Sequence, residues 1–266
     1  MDHGSKQSNT VPGTVDSNII IYIDRMARKT RKRCHRGGSQ QWAIIQYDDR
    51  KLTDVDKGLI NRVAHYAKKW GHEHILKTSG YEDISPYWRK VFLAKDILNT
   101  GNYKGVVWLD TDATVYNMDK DLNSLIEEGK HFYKSADNTP GNKRFCAGVW
   151  FVLNTDIGKE ILSKWTEGYK PDKWKKNGNG KWKGDGEWAG TSFEQGSFME
   201  TILPTYENSL KHYDDTFLQA LEPRPDAFIL HFYFTKDNRA GFLEKHPLPM
   251  MISVGGRKTR KRRRRA

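Results

Sequence analysis

Two aspartates one residue apart close an apolar run, Val106-Val107-Trp108-Leu109-Asp110-Thr111-Asp112. An unbroken apolar run of this kind reads as a buried strand that delivers its last side chains to the edge of a sheet. Residues i and i+2 of a strand face the same side, so the two carboxylates crowd together. A divalent cation relieves their repulsion, and oxygen ligands select Mg²⁺ or Mn²⁺ over zinc. An ion held in this way suits the binding of a diphosphate. The spacing occurs three times in the chain, so it decides nothing alone. Asp54 and Asp56 precede a helical pattern, where helix-start chemistry accounts for them. Asp119 and Asp121 flank Lys120 just after the strand, in what reads as a solvated turn. Only Asp110 and Asp112 end a long apolar strand.

The elements around this pair alternate. Trp42 to Gln46 reads as a first core strand, and Leu59 to Lys69 as a helix stopped by Gly71. His74 to Leu76 follows as a strand and Trp88 to Leu98 as a helix, with Val91, Ala94, Lys95 and Leu98 on one face. Asp121 to Glu128 is predicted to be a short helix, Phe132 to Lys134 and Gly148 to Leu153 strands, and Asp156 to Gly168 a helix. A helix over Phe193 to Leu203 carries Glu194 and Gln195 in its first turn, and Ala227 to Phe234 reads as a last strand containing His231. Strand–helix alternation of this kind predicts an α/β domain whose central sheet is mostly parallel and flanked by helices. Ligands of such sheets sit at the carboxyl ends of strands, where Asp110 and Asp112 lie.

Composition sets the bounds. The 266 residues fit one sizeable domain with extensions, and 12% of them are aromatic, including nine Trp. No run approaches the length of a membrane span, and residues 1–5 lack a secretory pattern, so a soluble, cytoplasmic protein is expected. Cys34 and Cys146, one in a basic leader and one near a strand, do not make a disulfide framework. The net charge of +12 resides in the ends: residues 257–265 hold eight Lys/Arg and no acid, and residues 1–37 carry +5. The part between is close to neutral, which disfavours a nucleic-acid groove on the folded surface. The expected division is a polar and basic extension over 1–37, one domain over 38–250, and a disordered polybasic tail over 251–266 that contacts polyanions or is simply solvated. Lys170 to Gly190 holds Trp174, Trp182 and Trp188 among Lys, Gly and Asn without apolar periodicity. It reads as a long functional loop whose aromatics stack on sugar rings or close a lid, or else as a packed surface loop.

In this order the segments resemble a nucleotide-sugar glycosyltransferase of the GT-A fold. They are most similar to the galactosyltransferase family of fungal α-galactosyl/mannosyltransferases and plant xyloglucan xylosyltransferases. Trp88-Arg89-Lys90 and Trp108-Leu109-Asp110-Thr111-Asp112-Ala113 resemble that family's Trp-x-Lys helix and its Trp-Leu-Asp-x-Asp-Ala signature. Asn61-Arg62 with Tyr66-Ala67 and Gly71, the strand Ala147 to Asn154, the pair Glu194-Gln195 and His231-Phe232 resemble further family segments. The similarity spans residues 40–240.

The resemblance implies a metal-dependent transfer of a hexose or pentose from a UDP- or GDP-sugar donor to a glycan or glycoprotein acceptor, with retention of configuration. Asp110 and Asp112 would hold Mn²⁺ or Mg²⁺, with His231 completing the set; imidazole favours Mn²⁺. Lys236 or Arg239 would neutralise the leaving diphosphate, Lys90 would pair with phosphate or a sheet-end carboxylate, and Asn61 would contact the donor. Glu194 and Gln195 would stabilise the oxocarbenium-like centre. The chain departs from the family pattern at Cys146, where an Asn is usual, and at Glu194, where Asp is common; both positions bear on the donor sugar. A glycosyltransferase without the family's membrane anchor and with a polybasic end also resembles proteins of large DNA viruses that glycosylate virion proteins. Two other classes use the same residues differently. A nucleotidyltransferase would show a third carboxylate in place of His231, and a basic virion or nucleic-acid scaffold would depend on the chain ends and not on Asp110.

Overall fold

The computed structural model describes residues 41–136 and 145–248. The predicted extension over 1–37, the polybasic tail over 251–266 and Cys34 lie outside the described residues.

Strand β1 (Trp42–Tyr47) is apolar for most of its length and buried, as a strand covered on both faces must be. It pairs in parallel with β2 (Glu73–Lys77) and with β3 (Gly105–Leu109). The sheet continues through β6 (Val149–Leu153), β5 (Phe132–Ser135) and β9 (Leu210–Tyr213), giving the order β2-β1-β3-β6-β5-β9. Only β6 runs against the others: it is antiparallel to β3 and β5, while β5 and β9 are parallel. This is the mostly parallel α/β sheet expected from the alternation.

Period-2 alternation sorts the side chains into two cores. Ala43, Ile45, Val106, Trp108, Trp150 and Val152 face one layer, packed under helices α2 (Pro86–Asn99) and α3 (Asp156–Glu167). Trp42, Ile44, Val107, Leu109, Val149 and Phe151 face the other, packed under helix α1 (Asp54–Trp70). Helix α1 begins where the sequence marks it. The Thr53 hydroxyl accepts from the Asp56 N–H and the Asp56 carboxylate accepts from the Thr53 N–H, a capping box of about 1 kcal/mol. Gly71 follows with φ of 71°, the left-handed conformation that favours glycine.

Several predicted elements change. The helix expected over Asp121 to Glu128 is one 3₁₀ turn, Leu122–Leu125, capped by the Asp121 carboxylate. The helix expected over Phe193 to Leu203 starts as α4 (Glu194–Ser197), widens into a π turn over Phe198–Ile202, and resumes as α5 (Leu203–Tyr206). The last strand shrinks to β10 (Ile229–His231). The 170–190 segment carries a hairpin of β7 (Trp174–Lys176) and β8 (Trp182–Gly184) instead of a structureless loop. Trp174 is buried there against Tyr87 and Phe193, because a flat apolar ring beside a core is covered whenever the backbone permits. Strands β4 (Ala113–Val115) and β9 and helices α6 (Asp215–Leu218) and α7 (Asn238–Lys245) are too short to leave a periodic pattern. Among the described residues no helix is long and apolar enough to cross a membrane.

Candidate active site

The small antiparallel ribbon of β4 and β10 builds the site. Strand β3 ends at Leu109, and Asp110 to Asp112 form a turn held by the Ala113 N–H on the Asp110 carbonyl. The two aspartates therefore occupy a tight turn past the strand, not alternate strand positions as expected. The turn achieves the same convergence, because the chain re-enters at once as β4. Strand β10 lies beside β4 with His231 opposite Ala113, and the Phe232 N–H bonds the Asp112 carbonyl. This register sets His231 against the turn. Asp110, Asp112 and His231 each offer a ligand atom within 4.8 Å of the other two. His231 Nε2 is 3.2 Å from Asp112 Oδ1 and 3.8 Å from Asp110 Oδ2.

Each member is oriented from behind. Asp110 Oδ1 accepts from the Trp108 indole N–H at 2.8 Å and from the Lys90 ammonium at 2.9 Å, which leaves Oδ2 turned to His231. The ring of His231 is fixed by Gln219. The Gln219 amide nitrogen donates to the Cys146 carbonyl at 3.3 Å, an acceptor only, and to Ser135 Oγ at 2.8 Å. Its oxygen must then accept from His231 Nδ1–H at 2.8 Å. Nε2 is thereby the nitrogen aimed at the aspartates, the usual arrangement for a metal-bound imidazole. Gly148 seals the ring from the other side: a Cβ there would lie 2.0 Å from His231 Cε1.

Charge balance follows. Burial is the largest single influence and would strip the proton from His231, but its interactions with Asp112 and Cys146 together outweigh burial and raise its pKa to about 10. Burial likewise opposes ionisation of Asp112, and the His231 and Arg239 charges outweigh it, holding this carboxyl well below the usual range. Asp112 thus stands ionised beside a proton on His231 that a metal ion would replace. Two carboxylates and one imidazole suit Mn²⁺ in ligand type.

Lys90, predicted to meet phosphate or a carboxylate, is buried and meets carboxylates. It donates to Asp110 and to the Ala147 carbonyl, and its nitrogen lies 3.5 Å from Glu194 Oε1. Burial lowers the affinity of this amine for its proton, but the two carboxylates outweigh that and raise its pKa. Glu194 is also buried, and its Oε2 has no hydrogen-bond partner among the described residues. Desolvation raises its pKa to about 7, against the opposing charge of Lys90. Gln195 Oε1 accepts from the Ala147 N–H at 3.0 Å, so Gln195 braces the segment leading to Gly148.

On the far side of Asp112 a cleft of about 170 Å³ is lined by Asp48, Arg50, Lys51, Leu52, Asp56, Asp112, Lys236 and Arg239. Arg239, at the start of α7, bridges Asp112 at 3.1 Å and Asp56 at 3.2 Å. Asp56 therefore does more than cap a helix. Lys236 is exposed at the rim. Arg50 grips Asp48 through two bonds of 2.8 and 2.7 Å, and Asp48 accepts from the Thr111 hydroxyl at 2.6 Å. The structure does not bring Asn61 to this group: it is exposed on α1 and does not line the cleft. Sequence reasoning missed Gln219, Asp48 and Arg50. Only the position of Asp48 and Arg50 after an apolar strand could have signalled them; nothing local marks Gln219.

No family model matches the chain, and no curated protein matches it. Solved structures do match: 44 chains in all. One is a glycosyltransferase involved in the glycosylation of the major capsid of PBCV-1. It shares 16% identity over 76% of this chain and 99% of that one, with a TM-score of 0.58. The apo glycosyltransferase GlyE of Streptococcus pneumoniae TIGR4 matches at 16% identity over 79% and 61%, with a TM-score of 0.45. A Drosophila β-1,4-galactosyltransferase 7 complex with manganese, UDP-Gal and xylobiose matches at 13% identity over 73% and 71%, with a TM-score of 0.36. The first likeness establishes a shared fold over most of this chain.

Proposed function

We propose that the chain is a metal-dependent glycosyltransferase that moves a hexose or pentose from a nucleoside-diphosphate sugar, UDP- or GDP-linked, to a glycan or glycoprotein acceptor. The observation that carries this reading is the convergence of Asp110, Asp112 and His231 beside a cleft that holds Arg50, Lys51, Lys236 and Arg239, with the buried Glu194 linked to Asp110 through Lys90. The third member is an imidazole, which favours this reading over a nucleotidyltransferase with three carboxylates. The fold shared with the PBCV-1 capsid glycosyltransferase supports it, and a virion glycoprotein is then a natural acceptor.

Asp110, Asp112 and His231 would hold Mn²⁺, with Mg²⁺ the weaker fit. When bound, the ion supplies Lewis-acid stabilisation of the departing diphosphate. Arg239 and Lys236 stand at the cleft beside Asp112, where a diphosphate would draw Arg239 off its carboxylates. The bond from the anomeric carbon to the diphosphate oxygen breaks, the acceptor hydroxyl oxygen bonds to that carbon, and its proton leaves to the diphosphate. Positive charge builds on the ring as this occurs, and Glu194 is the carboxylate suited to stabilise it, with retention of configuration the expected outcome. Lys90 orients Glu194 and Asp110 together. Residues 38–250 form the catalytic domain in this reading, and the basic ends serve as extensions that contact polyanions.

Incubation with Mn²⁺ and a panel of nucleotide sugars, with nucleoside diphosphate release as the signal, tests the proposal. Release from one donor, dependent on Mn²⁺ and lost in Asp110→Asn, is expected. Absence of release from every donor, together with absence of Mn²⁺-dependent nucleotide binding, refutes it.

A further inference from the structure

Trp188 is a large ring left in the open: 65% of it is exposed, while Trp174 of the same segment is buried. Yet it is held rigidly. It packs on Tyr87 at 5.1 Å and on Phe193 at 5.2 Å between centroids in T-shaped pairs, with interplanar angles of 67° and 65°. The backbone just after it is strained, since Ala189 has φ of 57°, a conformation that side chains other than glycine rarely adopt. The same turn is clamped onto α4: a Cβ on Gly196 would lie 2.3 Å from the Ala189 carbonyl oxygen and 2.1 Å from that of Gly190. Trp88 and Trp174 both donate their indole N–H to the Ser192 carbonyl, at 2.9 and 3.2 Å, pinning the return of the loop. Strain and anchoring thus hold an aromatic ring at the surface.

The location gives the ring a use. Phe193 directly precedes Glu194, and Tyr87 lies three residues before Lys90, on the same face of α2. Trp188 therefore rests on the residues that adjoin the Glu194–Lys90 pair in sequence, and it does not line the cleft beside Asp112 and Arg239. In the transferase reading the diphosphate end of a donor lies at the cleft, and Trp188, which is outside the cleft lining, is open to whatever receives the sugar. A rigid, exposed indole offers a sugar ring the flat apolar surface against which the axial C–H face of a pyranose stacks. A ring already packed against two neighbours loses little conformational freedom on binding.

We propose that Trp188 is an acceptor subsite that stacks a pyranose ring of a glycan, one or more units away from the hydroxyl that is glycosylated. The inference rests on the glycosyltransferase reading for its location but not for its test. Fluorine NMR of the full chain labelled with fluorotryptophan provides nine probes, and the Trp188 resonance is identified by its loss in Trp188→Phe. The saccharides are methyl pyranosides of glucose, galactose, mannose and xylose, and their disaccharides, at millimolar concentration. At least one should shift the Trp188 resonance and leave most others in place. Movement of none overturns the subsite, and so does movement of Trp188 with protein concentration alone, which would mark a protein contact. In turnover, Trp188→Ala should raise the acceptor KM about tenfold, Trp188→Phe much less, and Mn²⁺-dependent hydrolysis of the donor in water should be unchanged. Equal loss of hydrolysis and transfer overturns it. Absence of hydrolysis in the unaltered protein counts against the transferase reading, while the NMR result still decides whether the ring binds sugar.

Discussion

Replacing Gly148 by alanine tests the proposed metal centre without touching a ligand. The added Cβ would lie 2.0 Å from His231 Cε1, and 2.7 and 2.9 Å from the two ring nitrogens. Ordinary contact needs about 3.5 Å, so the ring must retreat by about 1.5 Å or the turn must open. The ring has no easy retreat: it is buried and tied to Gln219, which is itself tied to Ser135 and Cys146. Metal–ligand distances tolerate about 0.2 Å, so a displacement of this size removes the third ligand. Disturbing the support of a metal-bound histidine typically costs 10- to 100-fold in affinity, and loss of the ligand itself should reach about 100-fold or more, near 2.7 kcal/mol. The clash should also lower global stability by about 1–3 kcal/mol. Mn²⁺ affinity measured by electron paramagnetic resonance, with a thermal melt to confirm folding, reads both effects. A folded Gly148→Ala protein that binds Mn²⁺ as the parent does would refute the placement of His231 as a ligand.

Three further outcomes are expected. Gln219→Leu, which leaves His231 Nδ1–H without its acceptor, should weaken Mn²⁺ binding about 10- to 100-fold while the two aspartates remain; unchanged affinity in calorimetry would show that the Gln219 bond is incidental. With its pKa raised to about 10, His231 is protonated at pH 7, so Mn²⁺ binding should release a proton and weaken as pH falls; calorimetry in buffers of differing ionisation enthalpy counts that proton, and a count of zero contradicts the assignment. Glu194, raised to about 7, loses its negative charge as pH falls through that value. The acid limb of kcat/KM should lie at or below about 7 and vanish in Glu194→Gln with a rate loss of about 100-fold; a limb that persists in the variant assigns it elsewhere.

The sheet and the Asp110–Asp112 pair were legible because an apolar strand five residues long has few alternative readings. His231 was legible only through its resemblance to a family segment, since its meaning comes from the register of β10 on β4 and not from its neighbours in sequence. Lys90 and Glu194 were found as types, but not as a buried pair, because their contact joins two helices. The glycine in Ala147-Gly148 stood out by resemblance, and its physical cause, the ring of His231, needs the fold. Gln219 was invisible for the same reason: its three partners lie in three different parts of the chain. The hairpin at 174–184 escaped because its two strands are three residues each and mostly polar.

The β4–β10 ribbon is only three residue pairs long, yet it aligns His231 with a turn more than a hundred residues earlier. Side chains alternate along a strand, so a slip of one position would present Leu230 or Phe232 where the imidazole now stands. The segment from Ala220 to Leu230, which leads to His231, should therefore accept changes of residue type more readily than changes of length. Natural or engineered variation in loop size would be confined to stretches outside it, such as the exposed turn between β7 and β8, where an added residue alters no spacing on which the ion depends.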